Sequence, residues 1–386
     1  MLQKRDAETF CLYLRFCNGG EKMLVTITVC VRDGVQWIDG CLQALQNQSY
    51  RPLEIIAVDD GSSDQSCDAL QKWHDPEGEN GIPVRVMSQN ALGLSAGRRL
   101  AVENAKGEWV AITDIDVRPE RDWISNLVAE ANPVSVNEKV VAVTGRTIFE
   151  SADDVVSLVR SVEIAQKYRS RPRRTSLANG PCSMFNKQAL LNVGSFDPLW
   201  YHAEDMEVSL KLIESGGTIV YAPDALVSHV AETGQKRFLA KRRRDARGHL
   251  RIVRKYPRRK RVGPGFDFIG SSTMVLAIAP LWITAILSGL PFIYNFYLNP
   301  EYSWQVAQHW WQTRFLLMAL VLLIVHELIL WRGPLGVVNR GAIRKSPRGI
   351  IIAILKVRRL TFSWSIALWQ GIILGISDAI RGKNGH

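Results

Sequence analysis

The sequence predicts an α/β fold in its first two thirds and a helical region at its C-terminal end. Short runs rich in β-branched residues alternate with amphipathic segments from residue 23 to residue 230. Such alternation with short loops is typical of a mostly parallel sheet flanked by helices. The last third of the 386-residue chain differs, because it holds long apolar runs, and the first of them, 268–300, contains no charged residue.

The individual elements follow from the spacing of apolar residues. The runs predicted as strands are 23–31, 53–58, 84–87, 109–112, 140–149, 183–186 and 218–221. The runs predicted as helices are 37–46, 66–73, 92–104, the first part of 151–175 and a segment leading from Asp205 to Ile213. Turn-forming pairs such as Asp33-Gly34 and Gly216-Gly217 separate them.

The positive charge of the chain is concentrated in one segment. The formal net charge is +11, and residues 236–261 alone hold fourteen Lys/Arg and one acid, Asp245. A run of this kind suits nucleic acid, but this one has helical spacing and precedes an apolar run. We therefore favour anionic lipid headgroups, worth roughly 1 kcal/mol per basic residue near the surface. The six cysteines show no Cys-x-x-Cys pair and no zinc spacing with histidine, so we expect reduced thiols in a cytosolic domain.

Two carboxylates, Asp114 and Asp116, follow the apolar strand 109–112. Residues two apart on an extended chain point the same way, so both carboxylates face one space at the carboxyl end of a strand. Ligands of open α/β sheets bind at such ends. Two oxygen ligands suit Mg²⁺ or Mn²⁺ paired with a diphosphate. A solvated turn is the alternative for this spacing taken alone.

Three further stretches agree with a nucleotide site. They are the end of the first strand (Cys30–Asp33), the run Asp59-Asp-Gly-Ser-Ser-Asp64, and a helix start with Gly93, Ser95 and Arg98. In this order, and followed by Asp114 and Asp116, they resemble family 2 glycosyltransferases with the GT-A fold, over about residues 24–230. The family's usual Pro-x-Tyr-Asn is replaced here by Cys30-Val-Arg-Asp33.

The resemblance implies a GT-A fold, that is, a Rossmann-like mixed sheet that binds a nucleotide-sugar and is flanked by helices. It implies the following nucleotide-sugar contacts: Cys30, Arg32, Asp33, Asp59, Asp60, Gly93, Arg98 and Asp114. It implies a divalent metal, Mn²⁺ or Mg²⁺, on Asp114, Asp116 and His229. For Arg98, a phosphate contact and a merely solvated side chain both stay open at this point.

The acceptor half carries Val193-Gly-Ser-Phe-Asp197 and then Glu204-Asp205. The resemblance implies that Asp205 is the catalytic base, with Glu204 beside it, whereas an isolated Glu-Asp is more often a helix N-cap.

The Gln-x-x-Arg-Trp run of processive synthases is absent, since the chain reads Gln235-Lys-Arg-Phe. The expected activity is therefore inverting, metal-dependent transfer of single sugars from a UDP- or GDP-sugar to a lipid-linked or cell-envelope glycan acceptor. The alternatives are a processive polysaccharide synthase and an inactive sugar-nucleotide-binding scaffold, while a nucleic-acid partner is disfavoured.

The predicted organisation has four parts. They are an N-terminal tail (1–22), the GT-A domain (23–235), a basic juxtamembrane segment (236–266) and a C-terminal membrane region (267–386). Within the last, a hairpin of spans is expected at about 268–296 and 315–331, and a third apolar helix at about 360–380 is left open between spanning and lying in the interface. Basic residues on both sides of the hairpin place the catalytic domain in the cytoplasm at the cell membrane, with the basic segment on lipid headgroups or on an anionic lipid-phosphate acceptor.

Overall fold

The computed structural model describes residues 23–131, 138–150, 152, 154–169, 171–200, 202–257, 275–298, 311–332 and 347–382. The strands are β1 Val25–Val31, β2 Leu53–Asp60, β3 Val84–Gln89, β4 Trp109–Asp114, β5 Val117–Pro119, β6 Val140–Phe149, β7 Arg174–Thr175, β8 Ser183–Asn186 and β9 Thr218–His229. The helices are α1 Val35–Gln46, α2 Ser66–Gln71, α3 Leu94–Asn104, α4 Trp123–Ala131, α5 Val155–Arg169, α6 Lys187–Asn192, α7 Glu204–Glu214, α8 Gln235–Lys255, α9 Ile278–Leu298, α10 Trp311–Arg332 and α11 Pro347–Ile380. The predicted tail 1–22 and the start of the first predicted span, 268–274, lie outside the described residues.

The strands form one mixed sheet in the order β3-β2-β1-β4-β8-β6-β9-β5, and β7 pairs with β9. The first four strands run parallel, whereas β8 is antiparallel to both β4 and β6. This arrangement confirms the predicted mixed α/β sheet with flanking helices. Register places Cys30 beside Asp114 and Val31 beside Asp59, so the predicted nucleotide-binding residues share one edge of the sheet.

The sheet is buried on both faces because its strands are apolar at successive positions. On β2, Ile55 and Ala57 pack into the layer of α1 and α4, and Ile56 and Val58 into the layer of α3, α6 and α7. Continuous apolar runs of this kind are typical of strands covered on both sides by helices. The sheet therefore provides a rigid base for the loops at its edge.

The C-terminal helices pack against the sheet domain. Phe238 on α8 meets the buried Trp364 of α11 edge to face, with ring centroids 5.1 Å apart. Val156 and Val159 of α5 belong to the same apolar cluster. The helix α11 begins at Pro347, well before the third apolar helix that the sequence predicts at about 360–380.

Among the described residues, one helix, 354–380, is long and apolar enough to cross a membrane, and 44% of its most apolar stretch is buried. From the sequence, spanning the membrane and lying in its interface were both possible for this helix. The apolar helix 278–290, in the first predicted span, is shorter. Of the 30 large apolar side chains exposed in the described chain, 27 lie on α9, α10 and α11. The predicted hairpin of spans therefore stays a prediction.

Candidate active site

The loops that follow β1 and β2 are joined by reciprocal hydrogen bonds. The carboxylate of Asp33 accepts hydrogen bonds from the backbone N–H of Ser63 at 2.7 Å and from its hydroxyl at 2.9 Å. In return, the backbone N–H of Val35 donates to Asp64 at 3.2 Å. The hydrogen bonds from Ser63 lower the pKa of Asp33, because they stabilise its charged form. Two of the predicted nucleotide-binding stretches thus form one unit.

The buried carboxylate of Asp60 holds the start of α3. It accepts hydrogen bonds from the backbone N–H groups of Leu92 at 2.9 Å and Gly93 at 3.0 Å. Gly93 has φ +96°, a left-handed conformation that favours glycine. The neighbouring Asp59, also buried, accepts from the N–H of Ser62 at 3.4 Å. Asp60 therefore fixes the loop that delivers α3 to the site.

Arg98 on α3 lies buried between two carboxylates. Its guanidinium donates to Asp114 Oδ1 at 2.8 Å and to Glu204 Oε1 at 2.7 Å. Burial alone lowers the pKa of Arg98, but the two carboxylates outweigh it and raise the pKa. Gly180 makes the space, since an added Cβ would lie 2.7 Å from an Arg98 nitrogen. The alternative of a solvated Arg98 is wrong, because its side chain is 2% exposed.

The two acids at the start of α7 have different surroundings. Burial raises the pKa of Glu204 to about 7, although Arg98 opposes this shift. Asp205 is half-buried, accepts from the Gly180 N–H at 3.3 Å, and also has a pKa raised by burial. Ala203 occupies the N-cap position, so Asp205 is not the helix cap. A carboxylate with a raised pKa is better matched to general-base work near neutral pH.

Asp116 and His229 face each other beside the β5–β9 pair. Their Oδ2 and Nε2 atoms are 3.5 Å apart. His229 Nδ1 lies 2.8 Å from the carbonyl oxygen of Val230. Because a carbonyl only accepts, Nδ1 carries the proton in the neutral ring and Nε2 presents its lone pair toward Asp116. The ring also stacks on Phe149, with centroids 4.3 Å apart, which fixes its orientation.

These side chains fit a divalent cation that takes part of its ligands from a substrate. Among the described residues, no three His, Cys, Asp or Glu side chains come together to hold a metal. Asp114 is engaged by Arg98, so Asp116 and His229 are the predicted ligands that approach each other. Burial raises the pKa of Asp116, because removal from water disfavours the charged form of its carboxyl group. Mg²⁺ commonly uses one or two carboxylates and completes its shell with water and phosphate oxygens.

One cavity of about 1170 Å³ connects the edge of the sheet with α8 and α11. It exceeds the roughly 300–1,000 Å³ of ordinary small-molecule pockets, so it has room for more than one substrate. Its lining includes these predicted site residues: Cys30, Arg32, Asp114, Asp116 and His229. The predicted residues that the structure describes outside its lining are Asp33, Asp59, Asp60, Gly93, Arg98, Glu204 and Asp205.

Helix α8 forms a wall of this cavity, which the sequence did not predict. The basic side chains of α8 that line the cavity are Arg237, Lys241, Arg243, Arg244, Arg247, Arg251 and Arg254. Most follow one another by three or four positions, which is the spacing of a single helix face. That spacing was visible in the sequence, but it does not tell which surface the face meets.

A second missed feature is the buried Arg160 on α5. It pairs with Glu163 at 2.6 Å and with Glu232 at 2.9 Å. Its guanidinium also lies 5.3 Å from the centre of the Phe149 ring, which stacks on His229. Arg160 thus fixes the segment that follows β9. Its partner Glu232 is 72 positions away, so no local pattern pointed to it.

Comparison with known proteins identifies the sheet domain. Residues 25–194 match the model of glycosyl transferase family 2. The pre-mycofactocin glycosyltransferase of Mycobacterium tuberculosis is 25% identical over 232 residues, covering 56% of this chain and 45% of the relative. The poly-β-1,6-N-acetyl-D-glucosamine synthase of Staphylococcus epidermidis is 26% identical over 195 residues, covering 49% and 45%. The chain spans less than half the length of each of these two relatives.

A solved structure extends the likeness to the C-terminal helices. It is the mannosyltransferase PcManGT of Pyrobaculum calidifontis, in complex with GDP-Man and Mn²⁺. The alignment has a TM-score of 0.52 at 17% identity and covers 96% of this chain and 94% of the other. At this identity the likeness shows a shared fold.

Proposed function

Because residues 25–194 match the model of glycosyl transferase family 2, we propose that the chain transfers single sugars from a UDP- or GDP-sugar to a lipid-linked or cell-envelope glycan acceptor. The observation that carries the proposal is the cavity in which Asp114, Asp116 and His229 lie at the edge of the sheet. This is where open α/β sheets bind ligands. The names of the two bacterial relatives, a glycosyltransferase and a polysaccharide synthase, support the same chemistry.

The donor lies at the sheet edge. The two hydrogen-bonded loops that carry Asp33 and Asp59 hold the base and ribose of the donor. Cys30 and Arg32 line the cavity beside these loops. Asp116 and His229, with Asp114 close by, would hold Mn²⁺ or Mg²⁺, and the bound ion would neutralise charge on the leaving nucleoside diphosphate. Arg98 and Asp60 hold the donor loop and the acidic helix start in fixed positions.

Asp205 acts as general base on the acceptor hydroxyl. The acceptor oxygen attacks the anomeric carbon opposite the leaving group, the bond to the nucleoside diphosphate breaks, and the hydroxyl proton passes to Asp205. This in-line displacement inverts the configuration and needs no covalent enzyme intermediate. The link Asp114–Arg98–Glu204 supports this role, because it fixes the residue beside Asp205 to the end of β4.

Nucleotide release tests the proposal. The full chain in detergent is screened with UDP- and GDP-sugars in the presence of Mn²⁺, Mg²⁺ or EDTA. We expect metal-dependent release of one nucleotide, and loss of at least about a hundredfold in Asp205→Asn and Asp116→Ala. Asp224→Asn is the matched control, since Asp224 is exposed on β9.

Two results would decide between the alternatives. Equal release by Asp205→Asn and Asp224→Asn would contradict the catalytic role of Asp205. Binding of UDP or GDP without release from any donor by the unaltered chain would favour the inactive scaffold. Long polymeric products would favour a processive synthase over single-sugar transfer.

We further propose that α9–α11 attach the protein to the cell membrane with its catalytic domain in the cytoplasm. The supporting observation is that 27 of the 30 exposed large apolar side chains in the described chain lie on these three helices. Soluble monomers rarely expose contiguous apolar patches of such size.

A further inference from the structure

The wall that α8 contributes to the cavity is strongly cationic. Arg244, Arg247, Arg251 and Arg254 line it within about 15 Å along the helix axis. Asp378 of α11 lines the same cavity, and Arg247 binds it in bidentate fashion at 2.5 and 2.8 Å. The wall thus carries more positive charge than its surroundings neutralise.

Two of these arginines have no anionic partner. Within the described ranges, Arg244 and Arg254 make no ion pair. Both residues are exposed and line the cavity. Arg251, in contrast, lies 4.0 Å from the centre of the Trp200 ring and donates to the Leu199 carbonyl at 2.7 Å. The four arginines follow one another at intervals of about one helical turn, and like charges at that spacing repel each other. An anion placed between these side chains would relieve that repulsion.

The opposite side of this part of the cavity is apolar and belongs to α11. Leu374 and Gly375 line it, and α11 contains the helix long enough to cross a membrane. Close packing fixes α8 to α11, because a Cβ added at Gly371 would lie 2.2 Å from the Arg243 carbonyl oxygen. The cavity therefore presents a cationic wall and an apolar wall side by side.

We propose that this part of the cavity binds the phosphate group of a lipid acceptor, with its apolar tail along α11. Phosphate suits arginine, whose planar fork makes two parallel hydrogen bonds to its oxygens. The inference rests on the proposed sugar transfer for its purpose, but the binding of the lipid is measured without a donor. Its failure is therefore distinguishable from failure of the proposed function.

The experiment measures binding of fluorescently labelled farnesyl phosphate to the full chain in detergent. Arg244→Gln and Arg254→Gln are each compared with Lys236→Gln, an exposed residue of α8 outside the cavity lining. We expect each arginine variant to weaken binding roughly tenfold, as for a hydrogen bond to a charged group, and the lysine variant to change it less than twofold. Arg244→Lys should recover part of the loss. UDP and GDP binding, unchanged in all variants, shows that the donor end is folded.

Several results would overturn the inference. Labelled farnesol binding as tightly as the phosphate would show that the phosphate is not recognised. Inorganic phosphate displacing the probe at equal concentration would indicate a free-phosphate site instead of a lipid site. Parallel loss of binding to phosphatidylglycerol vesicles by Arg244→Gln and Lys236→Gln would assign α8 to bulk membrane headgroups.

Discussion

At the scale of single residues, the guanidinium of Arg98 joins the two halves of the candidate site. It reaches Asp114 on the donor side and Glu204 on the acceptor side, and its own side chain is 2% exposed. A buried charge of this kind is stable only while its partners are present. We therefore expect Arg98 to act as a positioning residue whose loss affects binding of both proposed substrates.

Arg98→Met should lower the free energy of unfolding by about 3–5 kcal/mol, because two carboxylates lose their buried partner. Arg99→Met is the matched control, since Arg99 forms an exposed pair with Glu103 and should change stability by less than about 1 kcal/mol. Urea unfolding of both variants measures the difference. Equal midpoints for the two variants would contradict the assignment.

The raised pKa of Asp205 predicts an unusual pH profile. As the proposed base, Asp205 would work only when ionised, and burial raises its pKa above the 3.8 of a free aspartate. The rate should therefore begin to fall, as pH is lowered, at a pH above that ordinary value. A plot of kcat/KM against pH shows where the acidic limb lies. A flat profile down to pH 4 would be inconsistent with Asp205 as the base.

At the scale of elements, contacts between helices hold the cavity in shape. Gly371 allows the backbone of α8 to approach α11, and Gly375 meets Leu250 in the same way. On the other side, Arg160 on α5 forms an ion pair with Glu232. Lys241 on α8 also pairs with Glu232, with its Nζ atom 3.7 Å from Oε1. The position of α8 and the position of His229 are thus set by neighbouring contacts.

Gly371→Ala should destabilise the full chain by about 1–3 kcal/mol, because the new methyl group meets a backbone oxygen that cannot move alone. Gly289→Ala on α9 is the control, since the nearest atom to its Cβ would be 3.7 Å away. That change should be neutral or stabilising by up to about 1 kcal/mol. Thermal unfolding in detergent compares them, and a stabilised Gly371→Ala would refute the close contact.

Arg160→Met should raise KM for the donor and weaken the effect of Mn²⁺, because the segment after His229 loses its anchor. The exposed Arg169, at the end of the same helix, provides the control Arg169→Met. Steady-state kinetics at varied Mn²⁺ concentration separates this from simple unfolding, since kcat at saturation should fall less than kcat/KM. A pure loss of folded protein, with unchanged KM, would argue against a positioning role.

At the scale of the whole molecule, local patterns predicted the sheet well. The apolar runs at 53–58 and 140–149 became β2 and β6, because burial on both faces needs continuous apolar strands. Patterns could not predict the partners of Arg98, which lie 16 and 106 positions away. Nor could they show what the basic face of α8 contacts, since a helix on a membrane surface and a helix lining a cavity have the same charge spacing. Long-range contacts decided both.

Membrane attachment has a direct test. The full chain, expressed in cells, should stay in the membrane pellet in 1 M salt and be released by detergent, because apolar helices are insensitive to the screening that weakens exposed charge contacts. Release by salt alone would instead make the basic residues of α8 the main contact. Centrifugation followed by immunoblotting measures the distribution.

The close packing of α8 on α11 also sets the distance between the edge of the sheet and the apolar surface of the C-terminal helices. Gly371 and Gly375 seat a helix about 30 Å long against the one helix in the described chain that is long enough to cross a membrane. The catalytic edge of the sheet then stands at a constant height above the apolar surface. Acceptors would be sorted by reach: a glycan whose reactive hydroxyl lies nearer to or farther from its lipid than this height stays unmodified, whatever its chemistry.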